Sequence, residues 1–148
     1  MDLPEEYLEN TPPNFPVPQN VGPRIWGEET LLCLVEKQFM LKEIKVKAGF
    51  KGGLQLHRKK NECGYLIEGE MILRHLNQNG ELVERFLKAG DVFHFPPGVV
   101  HQEEAITNCR VIEASSPHFN DRVRMEDYFG IHKVEGLPTT SKGEIQEK

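Results

Sequence analysis

Two short segments carry the residues that could do chemistry. The first is Gln55-Leu56-His57, followed by Glu62 and Gly69; the second is Gly90-Asp91-Val92-Phe93-His94-Phe95-Pro96-Pro97-Gly98-Val99-Val100-His101. Together they offer two imidazoles, a carboxylate and a side-chain amide. Two histidines and a carboxylate with open positions form a ligand set suited to a divalent metal, and the Gln55 oxygen makes it N2O2. An oxygen-rich shell of this kind favours Zn, Mn, Fe or Ni over a thiolate-selecting metal, without choosing among them.

The spacing fits strands. Gln55 and His57 are two residues apart and share one strand face. Arg58-Lys59-Lys60 reads as a solvated turn, after which Glu62 opens the next strand with Gly64 and Leu66 on its own face. His101 arrives from a third strand, behind the stiff Pro96-Pro97-Gly98 turn. Each residue alone also suits an ordinary structural role: a satisfied core amide, a strand-end charge, interior histidines. Their combination on strands of matching parity favours a metal site.

Further candidates flank the ligands. Glu103 lies two residues after His101, so it shares that face, and a carboxyl held inside an apolar barrel has a raised pKa suited to general base work. The alternative places Glu103-Glu104 at an exposed strand end. His94 reaches the site as an acid or base if it faces inward, and is a surface residue if it faces outward. Phe93 and Phe95 take the opposite parity from His94. Tyr65 takes the opposite parity from Glu62 and is expected at an outer or subunit face.

The elements that must position these residues are short and β-like. Leu31–Val35, Phe39–Val46, Leu54–His57, Cys63–Glu68, Met71–Leu76, Leu82–Leu87, Val92–Phe95, Val99–Ala105 and Arg110–Ala114 are separated by Gly, Pro and Asn signals. Asn77-Gln78-Asn79-Gly80 reads as a hairpin turn with positive φ at Asn79 and Gly80. Many short strands at such spacing indicate an all-β antiparallel sandwich or barrel. Asp121–Tyr128 suits one or two helical turns ended by Gly130. Six of the ten prolines fall in the first 23 residues, so residues 1–22 read as an extended arm that is neither a central strand nor a helix interior. Residues 23–130 form the single domain, and 131–148 a polar tail.

Composition bounds the rest. A chain of 148 residues with net charge −5 has the size of one domain and no general attraction to nucleic acid or anionic lipid. No stretch approaches the 18 apolar residues of a membrane span, and the acidic start lacks a secretory h-region. The three cysteines are widely spaced without a C-x-x-C pair and read as reduced thiols, so a cytoplasmic setting is expected.

The motifs resemble a known family. Gly90-x5-Pro96-x-Gly98-x2-His101 resembles the second cupin motif, and Gln55-x-His57-x4-Glu62-x6-Gly69 the first, with Gln55 where many cupins have His. The Gln-x-His form is similar to the branch of mannose-6-phosphate isomerases and related sugar-phosphate or sugar-nucleotide proteins. Arg24-Ile25-Trp26-Gly27 and the stretch from Ser115 to Asp127 are similar to that branch's entry and closing segments. One departure is Ala105, where the second motif often has Asn. The resemblance implies a cupin (RmlC-like jelly-roll) fold with an N-terminal arm and a short C-terminal helical segment. It implies one divalent metal on Gln55, His57, Glu62 and His101, a small-molecule substrate and a homodimer. It also implies aldose–ketose isomerisation in carbohydrate metabolism, with Glu103 and His94 as catalytic candidates and Arg58, Lys59, Lys60 and Arg124 as candidates for holding a phosphate. A non-haem dioxygenase and a non-catalytic binding cupin are the alternatives, since fold alone does not fix function.

Overall fold

The computed structural model describes residues 12–131. The first eleven residues of the proline-rich arm, and the expected polar tail beyond Ile131, lie outside the described residues.

Two antiparallel sheets face each other, the jelly-roll sandwich expected from the strand pattern. The larger sheet contains β1 (Gln19–Arg24), β2 (Gly27–Val35), β3 (Phe39–Val46), β5 (Glu62–Glu68), β8 (Val92–Phe95) and β10 (Cys109–Ser115), in the order β1-β2-β3-β10-β5-β8. The smaller contains β4 (Gln55–His57), β6 (Glu70–Leu76), β7 (Leu82–Lys88), β9 (His101–Ala105) and β11 (Arg122–Arg124), in the order β11-β4-β9-β6-β7.

Three elements differ from the sequence-based expectation. Gln19–Arg24, which straddles the expected end of the arm at residue 22, pairs with Gly27–Leu31 as an edge strand, where Pro23 costs no central ladder bond. Arg122–Arg124, expected to be helical, pairs with Gln55–His57. Helix α1 is confined to Glu126–Phe129 and ends on Gly130 in the left-handed region (φ 64°). At the β6–β7 hairpin only Gly80 (φ 76°) goes left-handed. Asn77 Oδ1 closes that turn instead, accepting from the Asn79 and Glu81 amides at 2.9 Å each.

The inner faces change character along the strands. Tyr65 and Cys63 on β5 face out, while Glu62, Gly64 and Leu66 face in. On β10 the inward series is Ser115, Glu113, Val111 and Cys109; on β9 it is His101, Glu103 and Ala105. Antiparallel register aligns these series: Ser115 stands beside Glu62, Glu113 beside Gly64, and Val111 beside Leu66. One end of the sandwich is therefore an apolar core that includes Trp26, Leu66, Met71, Leu73, Leu87, Phe93 and Val111. The other end gathers imidazoles and charges. Gly64 sits where the two meet: a Cβ there would stand 2.2 Å from the Phe93 ring, so only glycine lets that ring lie across β5.

The chain's closing segment is tied down by ions. Glu126 is fully buried; its carboxylate accepts the Leu54 amide at 3.2 Å and the Arg124 guanidinium, in part through a very short contact from Arg124 Nη2 to Glu126 Oε1. This links α1 and β11 to the segment leading into β4, the strand that carries Gln55 and His57.

Candidate metal centre

His57, Glu62 and His101 converge at the polar end. They come from β4, β5 and β9, and so from both sheets, and their donor atoms lie within 4.8 Å of one another. Glu62 Oε1 stands 3.5 Å from His57 Nε2 and 3.6 Å from His101 Nε2. Metal bonds of about 2.0–2.2 Å place neighbouring donor atoms about 3–3.5 Å apart, so this spacing suits one shared ion.

The surrounding hydrogen bonds turn each ligand toward that point. His57 Nδ1 donates to Asp121 Oδ1 at 3.1 Å, and His101 Nδ1 donates to the Val99 carbonyl at 2.9 Å, which leaves both Nε2 lone pairs toward Glu62. Phe95 stacks on the His101 ring at 3.9 Å and fixes its plane. Lys60 Nζ sits 2.8 Å from Glu62 Oε2 and 3.1 Å from Glu113 Oε1. It engages one Glu62 oxygen and leaves Oε1 to the histidines. Gln55 is paired with His101 across β4 and β9, lines the same cavity, and carries a buried Oε1 with no hydrogen-bond partner among the described residues. A buried carbonyl oxygen left without a donor costs free energy unless a ligand satisfies it. It therefore fits a cation.

Titration follows from these contacts. Burial pushes the Glu62 carboxyl up, but the Lys60 cation, together with the hydrogen bond from His57 and the charges of the two imidazoles when these are protonated in the metal-free site, outweighs it and holds Glu62 well below the carboxylate range. Burial alone lowers Lys60; Glu113 and Glu62 reverse this and keep it a permanent cation. Burial lowers His101 against the opposing pull of Glu62, favouring the neutral ligand form. Burial also pushes Asp121 up, yet the amides of Lys59 and Lys60 and the His57 ring hold it below the usual range. Glu103 moves the other way: burial, reinforced by the charges of Glu62 and Glu113, raises it to about 8.

Four of the sequence candidates therefore meet, Gln55, His57, Glu62 and His101, and Glu103 lines the same cavity beside them. His94 does not join them. It faces outward on β8, exposed, with Nε2 2.7 Å from Asn61 Oδ1, because Phe93 and Phe95 take the inward positions. Tyr65 is 47% exposed on the outer face, as its parity required. Asp121 is the functional residue that sequence reasoning passed over. Besides orienting His57 it accepts the Lys59 and Lys60 amides at 2.9 and 2.8 Å, and so shapes the loop between His57 and Glu62. Its only sequence signal was its place in the closing segment, 64 positions from His57. Replacing it (Asp121→Asn) is expected to weaken metal binding about 10–100-fold with the fold intact. Competition titration against a chromophoric chelator checks this, and an unchanged affinity overturns the role.

Over 105 residues the chain is 27% identical to germin-like protein subfamily T member 3 of Arabidopsis thaliana, a match that covers 70% of this chain and 46% of that protein. The chain thus spans less than half the length of this curated relative. Among solved structures, it superimposes on the capsular polysaccharide assembling protein CapF of Staphylococcus aureus with a TM-score of 0.63 at 21% identity, over 80% of this chain and 37% of CapF. An RmlC-like cupin from Shewanella frigidimarina matches with a TM-score of 0.59 at 25% identity, over 70% of this chain and 87% of that one. These matches do not single out the mannose-6-phosphate isomerase branch. Residues 42–115, half of the chain, match the cupin domain family, and with the jelly roll and the His57–Glu62–His101 cluster already described, the chain belongs to that family.

Proposed function

We propose that this cupin is a metal-dependent enzyme that moves a proton between adjacent carbons of a sugar-type hydroxycarbonyl compound, as in aldose–ketose isomerisation. His57, Glu62, His101 and the Gln55 oxygen hold one divalent ion. That ion supplies Lewis acidity toward a carbonyl.

The observation that carries the reading is the placement of Glu103. It lies on the same face of β9 as His101, lines the cavity, and forms no ion pair among the described residues. The other cavity carboxylates are already engaged: Glu62 and Glu113 by Lys60, Glu29 by Lys42, Asp121 by His57 and two amides. Glu103 is the carboxyl left to take a proton from one carbon and return it to the next, while the proton of the neighbouring hydroxyl passes to the former carbonyl oxygen. The cavity is small, about 80 Å³. A cavity of about 150 Å³ takes a benzene ring, so this one admits only the reacting end of a sugar.

The phosphate is less well provided for. Of the four cations expected to hold it, Lys60 and Arg124 are committed to carboxylates, while Arg58 and Lys59 are exposed and do not line the cavity. Metal-loaded protein incubated in D2O with D-mannose, D-fructose and their 6-phosphates is expected to incorporate deuterium at the carbon next to the carbonyl, read by NMR. Oxygen consumption without deuterium incorporation would favour a dioxygenase. Loaded protein inert in both assays would favour a binding cupin.

A further inference from the structure

The wall of the cavity built by β2 and β3 carries an arrangement that the chemistry above does not use. Lys42 on β3 and Glu29 on β2 form an ion pair of 2.9 Å, with side chains 5% and 6% exposed. Both line the cavity, and so does Trp26, whose residue is 3% exposed and whose Nε1 has no hydrogen-bond partner among the described residues.

Burying an ion pair gains little stability over an apolar pair of similar size. An indole N–H left without an acceptor adds a further cost. Packing alone gives no reason for either. A ligand explains both. We infer that Lys42, Glu29 and Trp26 form a recognition wall for the vicinal hydroxyls of an uncharged polyol or sugar chain.

The ammonium has three N–H donors and spends one on Glu29, while the carboxylate accepts only. A donor and an acceptor held side by side match two neighbouring hydroxyls, one accepting from Lys42 and the other donating to Glu29. The indole N–H supplies one more donor for a ring or chain oxygen. The charge balance selects the ligand class. Lys42 is neutralised by Glu29, and Lys60 by Glu62 and Glu113, so the wall offers no surplus positive charge to a phosphate or carboxylate. The inference rests on the sugar-type reading above and sharpens it: the part of the substrate inside the cavity is unphosphorylated.

Trp26 is the chain's only tryptophan, so its emission reports on this wall directly. Full-length Zn2+-loaded protein is titrated with D-mannose, D-fructose and D-mannose 6-phosphate. The expected result is a saturable emission change with the neutral sugars and no tighter binding of the phosphate ester. Glu29→Gln and Lys42→Met are expected to weaken the sugars about tenfold or more at unchanged zinc content. A flat titration, a phosphate ester bound tenfold tighter than its parent sugar, or unchanged affinity in the variants overturns the inference. If Lys42→Met loses zinc, Glu29→Gln decides, since it keeps the size of the side chain and changes only its charge and one acceptor oxygen. Sugar binding with the expected variant effects but no deuterium exchange removes the isomerase reading and leaves the wall standing. Exchange at wild-type affinity in both variants removes the wall alone.

Discussion

Stripping the ion from metal-loaded protein is expected to lower its Tm by about 8–16 °C. Ligands on β4 and β9 belong to one sheet and Glu62 on β5 to the other, so a bound ion cross-links the two layers at their polar end. Without it, that end brings together two imidazoles, an ionised carboxylate and an unsatisfied amide oxygen, where the other end has an apolar core. An ion present at about 1,000 times its dissociation constant stabilises the folded state by about 4 kcal/mol, and a domain of this size shifts by about 2–4 °C per kcal/mol. Calorimetry of loaded protein before and after chelation, with metal content measured in both samples, gives the value. His57→Ala should start from the low Tm and ignore the chelator. His94→Ala should behave as wild type, because that ring points out of the sandwich. No Tm change on protein shown to lose its metal would falsify the cross-link.

What could be read from the residues was mostly a matter of period. Alternation with period two placed Gln55, His57, Glu62 and His101 on inner faces, and the structure brings them together because β4, β5 and β9 pair with their neighbours without a register shift near the site. His94 was ambiguous for the opposite reason. Parity separates it from Phe93 and Phe95 but does not say which side of β8 is inside; the stack of Phe95 on His101 does. Arg122–Arg124 was missed as a strand because three residues hold no period, and their pairing depends on β4 sixty-odd positions away. The same distance hid Asp121 behind His57. The buried Lys42, Lys60 and Glu113 look like surface charges in sequence. Only the pairing of β3 with β10, which sets Lys42 opposite Glu113, and of β10 with β5 reveals that they face one another inside the sandwich. Local pattern carried the strands and the candidate ligands; long-range register carried the network around them.

Replacing Glu103 by glutamine is expected to remove about 10²–10⁴-fold of the exchange rate, the range of a positioned proton-transfer group, with metal content unchanged. The substitution keeps the shape and removes only the titratable proton. It has a second readout in metal-free protein. Burial and the neighbouring charges of Glu62 and Glu113 raise the folded-state pKa of Glu103 to about 8, from an ordinary value of 4.5. A carboxyl shifted upward is protonated in the folded chain and ionised in the unfolded chain between those values. Its contribution to stability is therefore intact below about pH 4.5 and is lost progressively as pH rises toward 8. Glu103→Gln cannot ionise and escapes that loss. The Tm of the metal-free variant relative to metal-free wild type should thus climb between pH 5 and 8 and level off above. A difference that stays flat across this range would mean that Glu103 is an ordinary ionised carboxylate, and would take away its suitability as a base near neutral pH. A full rate with a climbing Tm difference would instead confirm its environment and move the proton transfer to another group.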